Sequence, residues 1–375
     1  MKRLKLLDDG VIYKNPDPGQ KAECAFLPNV VPLDGDDVLC IYRIGQAFYS
    51  TDGTLNVARS TDGGKTWVQE GRVWDVANDD RLYNYSAPHA FRLKDGTLVL
   101  TAFRMDFSDP RPQFNPETGG HRASDKIVFF SDDGGRTWTS PRVMDLPLDS
   151  LPDTPSSIIE LNDGRWWMGL ELWKEWDHIG PLHIKGFSTF SDDRGETWSD
   201  AFPLESASDT EKMFSHSRYV KMLDGRVAGL QWTQEPGTAK DFAEHITISN
   251  ADASAWSYPE PTNLMAQTCW LADLGSGVMA AAYTDREGMN PGINVVLSRD
   301  EGKTWDVENQ VQVWGDAVGQ EYLGVERTPE YPKSHDNIAF GKPNLARMAD
   351  GTLIASWWCT QASVTHSRFA RLKVE

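Results

Sequence analysis

The chain has 375 residues, of which 39% are hydrophobic and 15 are Trp, so it can form a large apolar core. Its 55 acidic residues outnumber its 37 Lys and Arg residues, and the net charge of -18 argues against nucleic acid or an anionic membrane as a partner. No apolar run approaches the ~20 residues of a membrane-spanning helix. The first nine residues reach acidic side chains too soon for a signal peptide. We therefore expect a cytoplasmic protein, or a secreted or periplasmic one if a signal peptide has been removed.

An eight-residue pattern, Ser-x-Asp-x-Gly-x-Thr-Trp, occurs four times, at residues 60–67, 131–138, 191–198 and 298–305. A fifth copy at residues 249–256 keeps the Ser and the Trp but loses the Asp, Gly and Thr positions. The Asp can accept hydrogen bonds from amides of a tight turn, and the Gly permits a positive φ there. Each copy therefore predicts the end of a β-hairpin, with a structural role.

These Asp boxes (BNR repeats) resemble those of the sialidase (neuraminidase) superfamily. The resemblance covers nearly the whole chain and implies an all-β fold, a six-bladed β-propeller, as a single domain over residues 1–375. It is more specific for fold than for function, because propellers with Asp boxes include hydrolases and non-enzymes.

A second turn signal precedes the boxes and sets the number of blades. Asp-Gly turns between β-rich runs stand at residues 34–35, 95–96, 163–164, 224–225 and 350–351, with a weaker Ser-Gly at 276–277. Six turns predict six blades, over about residues 22–73, 86–143, 156–203, 215–264, 268–313 and from 341 onward. The last blade ends after its third strand, so we expect residues 4–13 to supply the fourth strand and close the ring.

Strand alternation predicts which end of the propeller carries a site. The Asp-Gly turns and the boxes must share one face, and the other connections must share the opposite face. The long loops all fall in the second set, at residues 104–126, 172–183, 232–243 and 314–340. Long loops at one end of a rigid scaffold are where sites are built, so we expect a mouth on that face.

The residues expected at the mouth combine aromatic rings with Arg, His and carboxylates, as a sugar site requires. The catalytic candidates are Glu171, Asp285, Tyr283 and His216. The substrate-binding candidates are Arg43, His89, Arg104, Trp173, Arg218, Trp232, Arg286, His335, Lys342 and Trp358.

Each candidate also has a structural interpretation. Glu171 interrupts an apolar run, where a carboxylate is costly unless it is paired or used; we interpret it as used, and expect its neutralisation not to reduce stability. Arg43 and Arg104 follow their Asp-Gly turns at equal distances, so we expect equivalent positions, although both could pair with loop acids. A Trp at a strand end also suits the core, and His89 and His216 could be structural. The His residues are too dispersed for a zinc motif, and we predict no metal and no cofactor.

The resemblance to sialidases does not extend to their catalytic residues. It implies an Arg on the first inner strand, where residues 23–28 contain none. It implies a nucleophilic Tyr at the start of the last blade, where Lys342 stands, and a Glu in the fourth blade, where residues 216–218 are His-Ser-Arg. We therefore do not expect a true sialidase.

Three classes of function remain, all with a carbohydrate as ligand or substrate. A glycoside hydrolase acting on an acidic or highly hydroxylated sugar would use Glu171 and Asp285, with Tyr283 and Arg side chains orienting the sugar. A uronate lyase or a sugar isomerase would use cations and a neutral base. That set would be His89, His216, Arg218 and Lys342. A non-catalytic glycan- or protein-binding propeller would need only the aromatic residues.

Overall fold

The fold consists almost entirely of short antiparallel sheets. The computed structural model describes residues 3–148, 158–238, 240–286, 291–315 and 338–375. Within these ranges the chain forms 24 β-strands and three short 3-10 helices, Val76–Asn78, Glu205–Ser208 and Val307–Asn309. The strands make six four-stranded sheets in a ring, which confirms the predicted six-bladed β-propeller.

The first three blades follow one another along the chain, each in the strand order of the sequence. Blade one contains β2 (Cys24–Pro32), β3 (Val38–Gly45), β4 (Thr54–Ser60) and β5 (Val68–Arg72). Blade two contains β6 (Tyr83–Arg92), β7 (Leu98–Asp106), β8 (Asp125–Ser131) and β9 (Arg142–Val143). Blade three contains β10 (Ile158–Glu160), β11 (Trp166–Leu172), β12 (Lys185–Ser191) and β13 (Phe202–Pro203).

The last three blades complete the ring. Blade four contains β14 (Met213–Lys221), β15 (Val227–Gln234), β16 (His245–Ile248) and β17 (Glu260–Pro261). Blade five contains β18 (Cys269–Gly275), β19 (Val278–Asp285), β20 (Gly292–Ser298) and β21 (Val311–Trp314). Blade six contains β22 (Phe340–Arg347), β23 (Leu353–Gln361), β24 (Val364–Val374) and the N-terminal strand β1 (Leu4–Tyr13).

The N-terminal strand closes the ring as predicted. β1 pairs antiparallel with β24, from Leu4 opposite Val374 to Tyr13 opposite Ser367. Two ion pairs at 2.7 Å support this pairing, Arg368 with Asp9 and Arg371 with Asp8. The β24 edge is thereby covered, so that the last blade does not present a long unpaired strand to solvent.

The hydrophobic core lies between the blades. Each of the six largest apolar clusters joins residues of two neighbouring blades. Trp166 and Trp167 of β11 illustrate the principle: successive side chains of a strand point to opposite faces, so Trp166 packs toward blade two and Trp167 toward blade four. Trp167 contacts Tyr219 edge-on, with ring centroids 4.8 Å apart. Alternation along each strand thus connects every blade to both neighbours.

The Asp boxes form the expected hairpin ends. In the second box, Asp133 Oδ1 accepts hydrogen bonds from the amides of Arg136 and Thr137, both at 2.9 Å. The Thr137 hydroxyl donates to Asp133 Oδ2 at 2.6 Å, and these bonds lower the pKa of Asp133 to about 2. Gly135 has a φ of 82°, and a Cβ atom there would lie 2.7 Å from Leu39 in blade one. The glycine therefore permits both the turn and the close approach of two blades.

The boxes and the Asp-Gly turns share one face, as predicted. The Gly63 amide of the first box donates to the Asp36 carbonyl in the turn of the same blade, at 2.9 Å. Arg194 of the third box pairs with Asp95 in the turn of blade two, at 2.8 Å. The long connections that follow the second strands of blades two, three and four consequently lie on the opposite face, whereas residues 316–337 of the predicted loop at 314–340 lie outside the described residues. None of the helices among the described residues is long and apolar enough to span a membrane.

Candidate functional site

β-bulges shape the inner strands at the mouth. The pairing register shifts near the start of the inner strand in blades one, two, four and six. At each shift a non-glycine residue has a positive φ: Leu27 (55°), Ala87 (49°), His216 (48°) and Lys342 (45°). Such conformations cost of order 1–3 kcal/mol each and cluster at functional sites. Bulges also redirect side chains, and here four of them surround the same channel.

A second set of residues, one from each blade except blade three, occupies equivalent heights on the inner strands. Strand register places Asn29, His89, Arg218, Trp270 and Asn344 opposite Ile41, Thr101, Leu230, Ala282 and Ser356. Two of the five tie neighbouring blades together. The Asn29 side chain accepts a hydrogen bond from the Ala90 amide at 2.8 Å, and Asn344 accepts one from Val30 at 2.9 Å.

The other three members of this set meet at the channel. His89 of blade two stacks on Trp270 of blade five, with centroids 5.4 Å apart and planes 14° from parallel. The Arg218 guanidinium of blade four lies 5.5 Å from the centroid of the same Trp270 ring. Three blades thus contribute one compact group of an imidazole, an indole and a guanidinium.

A pocket opens around this group, and we call it the channel pocket. Its volume of about 390 Å³ includes open solvent at the mouth. Five blades supply its lining, and within the described part of the chain that lining holds no acidic residue. It consists of Leu27, Pro28, Asn29, Ala87, Pro88, His89, Arg218, Thr268, Cys269, Trp270, Lys342, Pro343 and Asn344.

Lys342 and His216 connect blades six and four across the mouth. The Lys342 Nζ lies 3.2 Å from His216 Nδ1. An ammonium group can only donate, so with a charged lysine His216 Nδ1 accepts and the ring proton resides on Nε2. The His216 ring stacks on Trp232 at 5.6 Å and 16°, and Trp232 Nε1 donates to Asp241 at 3.0 Å. His216 is therefore held on both its face and its edge.

His89 is a buried histidine surrounded by cations. Burial, followed by the like charges of Arg218, Lys342 and Lys126, lowers its pKa well below the usual value. The side chain is 6% exposed, and its Nδ1 atom has no hydrogen-bond partner. His89 is consequently neutral at physiological pH, with an unsatisfied polar atom beside three cations.

Glu171 holds the bulge that carries His216. Its carboxylate accepts hydrogen bonds from the backbone amides of His216, at 3.0 Å, and Ser217, at 2.6 Å. The residue is 5% exposed. The two backbone amides are hydrogen-bond partners that offset the cost of burying a carboxylate in an apolar strand. Because this structural role explains the residue, its catalytic use stays a prediction.

A second buried carboxyl, which the sequence did not single out, lies behind the channel pocket. Cys269 lines the pocket and places its Sγ 3.7 Å from Glu244 Oε2. Glu244 is completely buried, and burial, together with the charge of Asp241, raises its pKa well above the usual value. Its position before a short strand in a polar loop gave no sign of this burial in the sequence.

Arg43 and Arg104 are not equivalent, contrary to the prediction. In blade one, Arg43 is paired with Phe26, the last paired residue before the bulge. In blade two, the residue paired at the equivalent position is Phe103 and not Arg104. The Asp-Gly pair stands one position earlier in the turn at residues 33–37 than in the turn at residues 93–97. Counting from Asp-Gly therefore gives a one-residue error, and one residue moves a side chain to the other face of a sheet.

The surroundings of these two arginines also differ. Arg43 is 1% exposed and donates to the carbonyls of Ala47 and Ser50, both at 3.0 Å. Burial lowers its pKa to about 10. Arg104 pairs with Asp125 at 2.9 Å and lies 4.0 Å from the centroid of Tyr83. Neither residue lines the channel pocket.

The candidates of blade five lie at the end of β19. Tyr283 is buried in the core between blades four and five, and its hydroxyl donates to the Gln310 side chain. Asp285 is 8% exposed and ends the strand opposite Gly292. Arg286 donates to the Phe340 carbonyl of blade six at 2.8 Å. Of these contacts, the Arg286 hydrogen bond joins blade five to blade six.

The predicted tryptophans Trp173 and Trp358 belong to an aromatic arc along the mouth. Successive ring contacts at 4.9–6.4 Å connect Trp358, Phe48, Tyr49, Phe114 and Trp173, which come from blades six, one, two and three. Phe48, Tyr49 and Phe114 were missed in the sequence. The Phe-Tyr pair in the connection before residue 54 was the available signal, but that connection is short.

His335 lies outside the described residues. Among the residues that the structure describes, no group of three His, Cys, Asp or Glu side chains could hold a metal ion. Of the predicted candidates, the structure brings together His89, Arg218 and Lys342 in the channel pocket, with His216 and Trp232 beside them.

No family model matches the chain. A curated sialidase from Micromonospora viridifaciens is 24% identical over 285 residues, which are 68% of this chain and 40% of that protein. Among solved structures, a protein of unknown function from Dyadobacter fermentans has a TM-score of 0.76, 18% identity and 99% coverage of both chains. The fold is that of the sialidase-like propellers. A Hadza microbial sialidase has a TM-score of 0.66 and 16% identity, over 93% of this chain and 65% of that one.

Sialidase-like propellers of this shape do not share one substrate. The α-L-arabinanase of Penicillium chrysogenum, solved with arabinobiose, has a TM-score of 0.63 and 13% identity, and each chain is covered to 98%. Identities this low establish the fold alone. The chemistry of this protein therefore has to be inferred from the residues at its own mouth.

Proposed function

We propose that this protein is a carbohydrate-active enzyme that cleaves a glycosidic bond of an acidic or highly hydroxylated sugar at the mouth, with the channel pocket as a sugar-binding site. The main supporting observation is the convergence of His89, Arg218, Trp270 and Lys342 in one pocket. The strands that carry His89, Arg218 and Lys342 also contain bulges with a positive φ. Cations, imidazoles and indoles suit hydroxylated, charged rings. The fold supports the proposal, because solved proteins with it include a sialidase and an arabinanase.

Hydrolysis is the first candidate chemistry. It needs two carboxyl groups at the scissile bond, one as general acid and one as base or nucleophile. Glu171 of blade three and Asp285 of blade five are buried carboxyl groups at the mouth ends of their strands. In this scheme Glu171 has a double role, because it also fixes the backbone of His216.

A specific observation favours β-elimination as a second candidate. A neutral base beside cations is what a uronate lyase requires, and His89 is neutral next to Arg218 and Lys342. The base removes the proton α to the sugar carboxylate. The bond from the β-carbon to the leaving oxygen breaks, a carbon–carbon double bond forms, and the leaving oxygen takes up a proton.

A panel of acidic and neutral polysaccharides, read for two products at once, tests the proposal. Hydrolysis releases reducing ends without ultraviolet absorbance, whereas elimination releases them with the absorbance of a new double bond. We expect Glu171→Gln and Asp285→Asn to abolish the first signal, or His89→Asn the second. Binding of glycans with neither signal would replace the proposal with a non-catalytic lectin-like function.

Sialosides provide a separate prediction. The first inner strand, Cys24–Pro32, carries no Arg, and Lys342 stands where the sialidase resemblance implies a Tyr nucleophile. A lysine cannot form the same aryl glycoside intermediate. We therefore expect no useful release from an activated aryl α-sialoside and no tight binding of the dehydrated sialic acid analogue. Robust release that Arg43→Met or Arg104→Met abolishes would contradict this expectation.

A further inference from the structure

The channel pocket reverses the charge of the rest of the molecule. The chain carries a net charge of -18, yet the pocket lining contains Arg218 and Lys342 and, within the described residues, no acid. Lys126 adds a third positive charge that acts on the same His89 ring. A concave cationic site on an acidic protein concentrates anions locally.

The pocket also contains an unsatisfied hydrogen-bonding atom. His89 is 6% exposed, and its Nδ1 atom has no partner in the structure. A buried polar atom left unpaired costs roughly 1–3 kcal/mol, so native proteins rarely keep one without a use. In a neutral imidazole a protonated Nδ1 is a donor, which an anionic oxygen would satisfy.

The geometry around Arg218 suits a planar anion. Its guanidinium lies over the Trp270 ring at 5.5 Å, and His89 stacks on that ring at 5.4 Å, so that three planar groups are held in place. A guanidinium presents its donors in a rigid fork that matches a carboxylate in two parallel hydrogen bonds. The bulge at Lys342 brings an ammonium group, a point charge with rotatable donors, to the same pocket.

We propose that the channel pocket binds the carboxylate of a uronic acid, with Arg218 and Lys342 supplying the charge and His89 a hydrogen bond. The inference rests on the proposed function in taking a sugar as the ligand. It narrows the substrate to uronate-containing glycans. It also assigns recognition to inner-strand residues of blades two, four and six, and gives Arg43 and Arg104 no part in it.

Isothermal titration at low salt, with D-galacturonate and D-glucuronate against their methyl esters, tests this assignment. The ester keeps every hydroxyl and removes only the charge. We expect each acid to bind at least 10-fold more tightly than its ester, and the preference to shrink as salt is added. Arg218→Met and Lys342→Met should each reduce the acid affinity at least 10-fold and leave the ester affinity within 3-fold.

Arg165→Gln is the matched control, because Arg165 is a cation on the opposite face, paired with Asp163 at 2.7 Å. It should bind the acids as the wild type does. Thermal unfolding verifies that each variant is folded, and Lys342→Met provides an independent test if Arg218→Met does not fold. Equal affinity for acid and ester, or wild-type affinity in both variants, overturns the inference. Inorganic phosphate that competes as strongly as the uronates also overturns it, in favour of a general anion site.

The two proposals fail in different ways. A protein that prefers uronates over esters but cleaves no polysaccharide retains the uronate site and loses the enzymatic function. A protein that cleaves neutral glycans, with no preference for the acids, retains the function and loses the uronate site.

Discussion

Glu171 has a structural role that its sequence context does not indicate. In the sequence it is a carboxylate inside an apolar run, which suggested that its neutralisation would cost no stability. In the structure both of its oxygens accept from backbone amides of the next blade, at 2.6 and 3.0 Å. These bonds stabilise the left-handed backbone conformation of His216, which has a φ of 48°. Glu171 is thus a positioning residue for His216 whatever else it does.

We therefore predict that Glu171→Gln lowers the free energy of unfolding by roughly 1–3 kcal/mol. The Gln side chain keeps one oxygen that can accept a hydrogen bond. Its NH₂ group replaces the other oxygen and would face a backbone N–H that is itself a donor, so that one of the two hydrogen bonds is lost. Urea unfolding at neutral pH measures the change. Glu211→Gln, at an exposed position, is the control and should differ little from wild type. A variant at Glu171 as stable as the wild type would contradict a structural role for the two bonds.

Glu244 provides a prediction on pH. Its carboxyl is fully buried, and burial raises its pKa well above the usual value. The unfolded chain releases this proton near its ordinary pKa, whereas the folded chain keeps it, so the folded state loses stability as pH rises above that value. Glu244→Gln removes the penalty. The stability of the variant relative to wild type should increase from pH 4.5 to pH 8, as measured by thermal unfolding.

The same unfolding series on Glu211→Gln should show no such trend, because that side chain is exposed. A constant difference between Glu244→Gln and wild type across the pH range would show that the carboxyl is ionised in the folded protein.

At the scale of elements, the box is a structural unit that tolerates partial loss. In the fifth copy Ala253 takes the place of the Gly, with a φ of 57°, and the Asn250 side chain accepts from the Ala255 amide at 3.1 Å. Trp256 still donates to the Ala253 carbonyl at 3.1 Å. The turn therefore survives without its Asp, at the cost of strain in a non-glycine residue.

In a complete box we expect the Asp to matter for stability alone. Asp133→Ala removes four acceptor contacts, to Ser131, to Arg136 and twice to Thr137, and should lower the unfolding free energy by roughly 1–3 kcal/mol. Sugar binding at the opposite face should not change. Denaturant unfolding and the binding assay measure the two effects. Asp192→Ala, at the variable position of the next box, is the control; reduced binding by a folded Asp133→Ala would contradict the separation of faces.

At the scale of the whole molecule, stability depends on closure of the ring. Each of the six largest apolar clusters joins two blades, so the loss of an outer strand from one blade also weakens its neighbours. Ile12 of β1 is 3% exposed and packs in the cluster that joins blades six and one. β1 thus contributes both backbone pairing with β24 and core contacts.

Deletion of residues 1–13 should therefore expose the β24 edge and cause aggregation or loss of cooperative unfolding. Light scattering and calorimetry measure the two outcomes. A chain without residues 1–2 leaves all of β1 and should melt like the wild type. If the longer deletion also melts like the wild type, the closing strand is dispensable.

The sequence by itself determined the propeller, because its signals are local. The box motif, the Asp-Gly turns and strand alternation each depend on a few neighbouring residues. Together they predicted six blades, the closing strand and the face that the boxes and turns share. Register was less certain: one shift of Asp-Gly within a five-residue turn was enough to misplace Arg104 relative to Arg43.

Only the tertiary structure decided how the mouth is assembled. His89 is in blade two and Trp270 is in blade five, so two blades lie between them in either direction around the ring. No local sequence pattern indicates that their rings stack. Asn29 and Arg218 occupy equivalent positions on their strands but have different roles. Asn29 accepts a hydrogen bond from the neighbouring blade, whereas Arg218 is a cation of the channel pocket. Burial and charge at such a point are sums over all the blades that face the channel. For that reason the unpaired imidazole of His89 could be recognised only in the folded molecule.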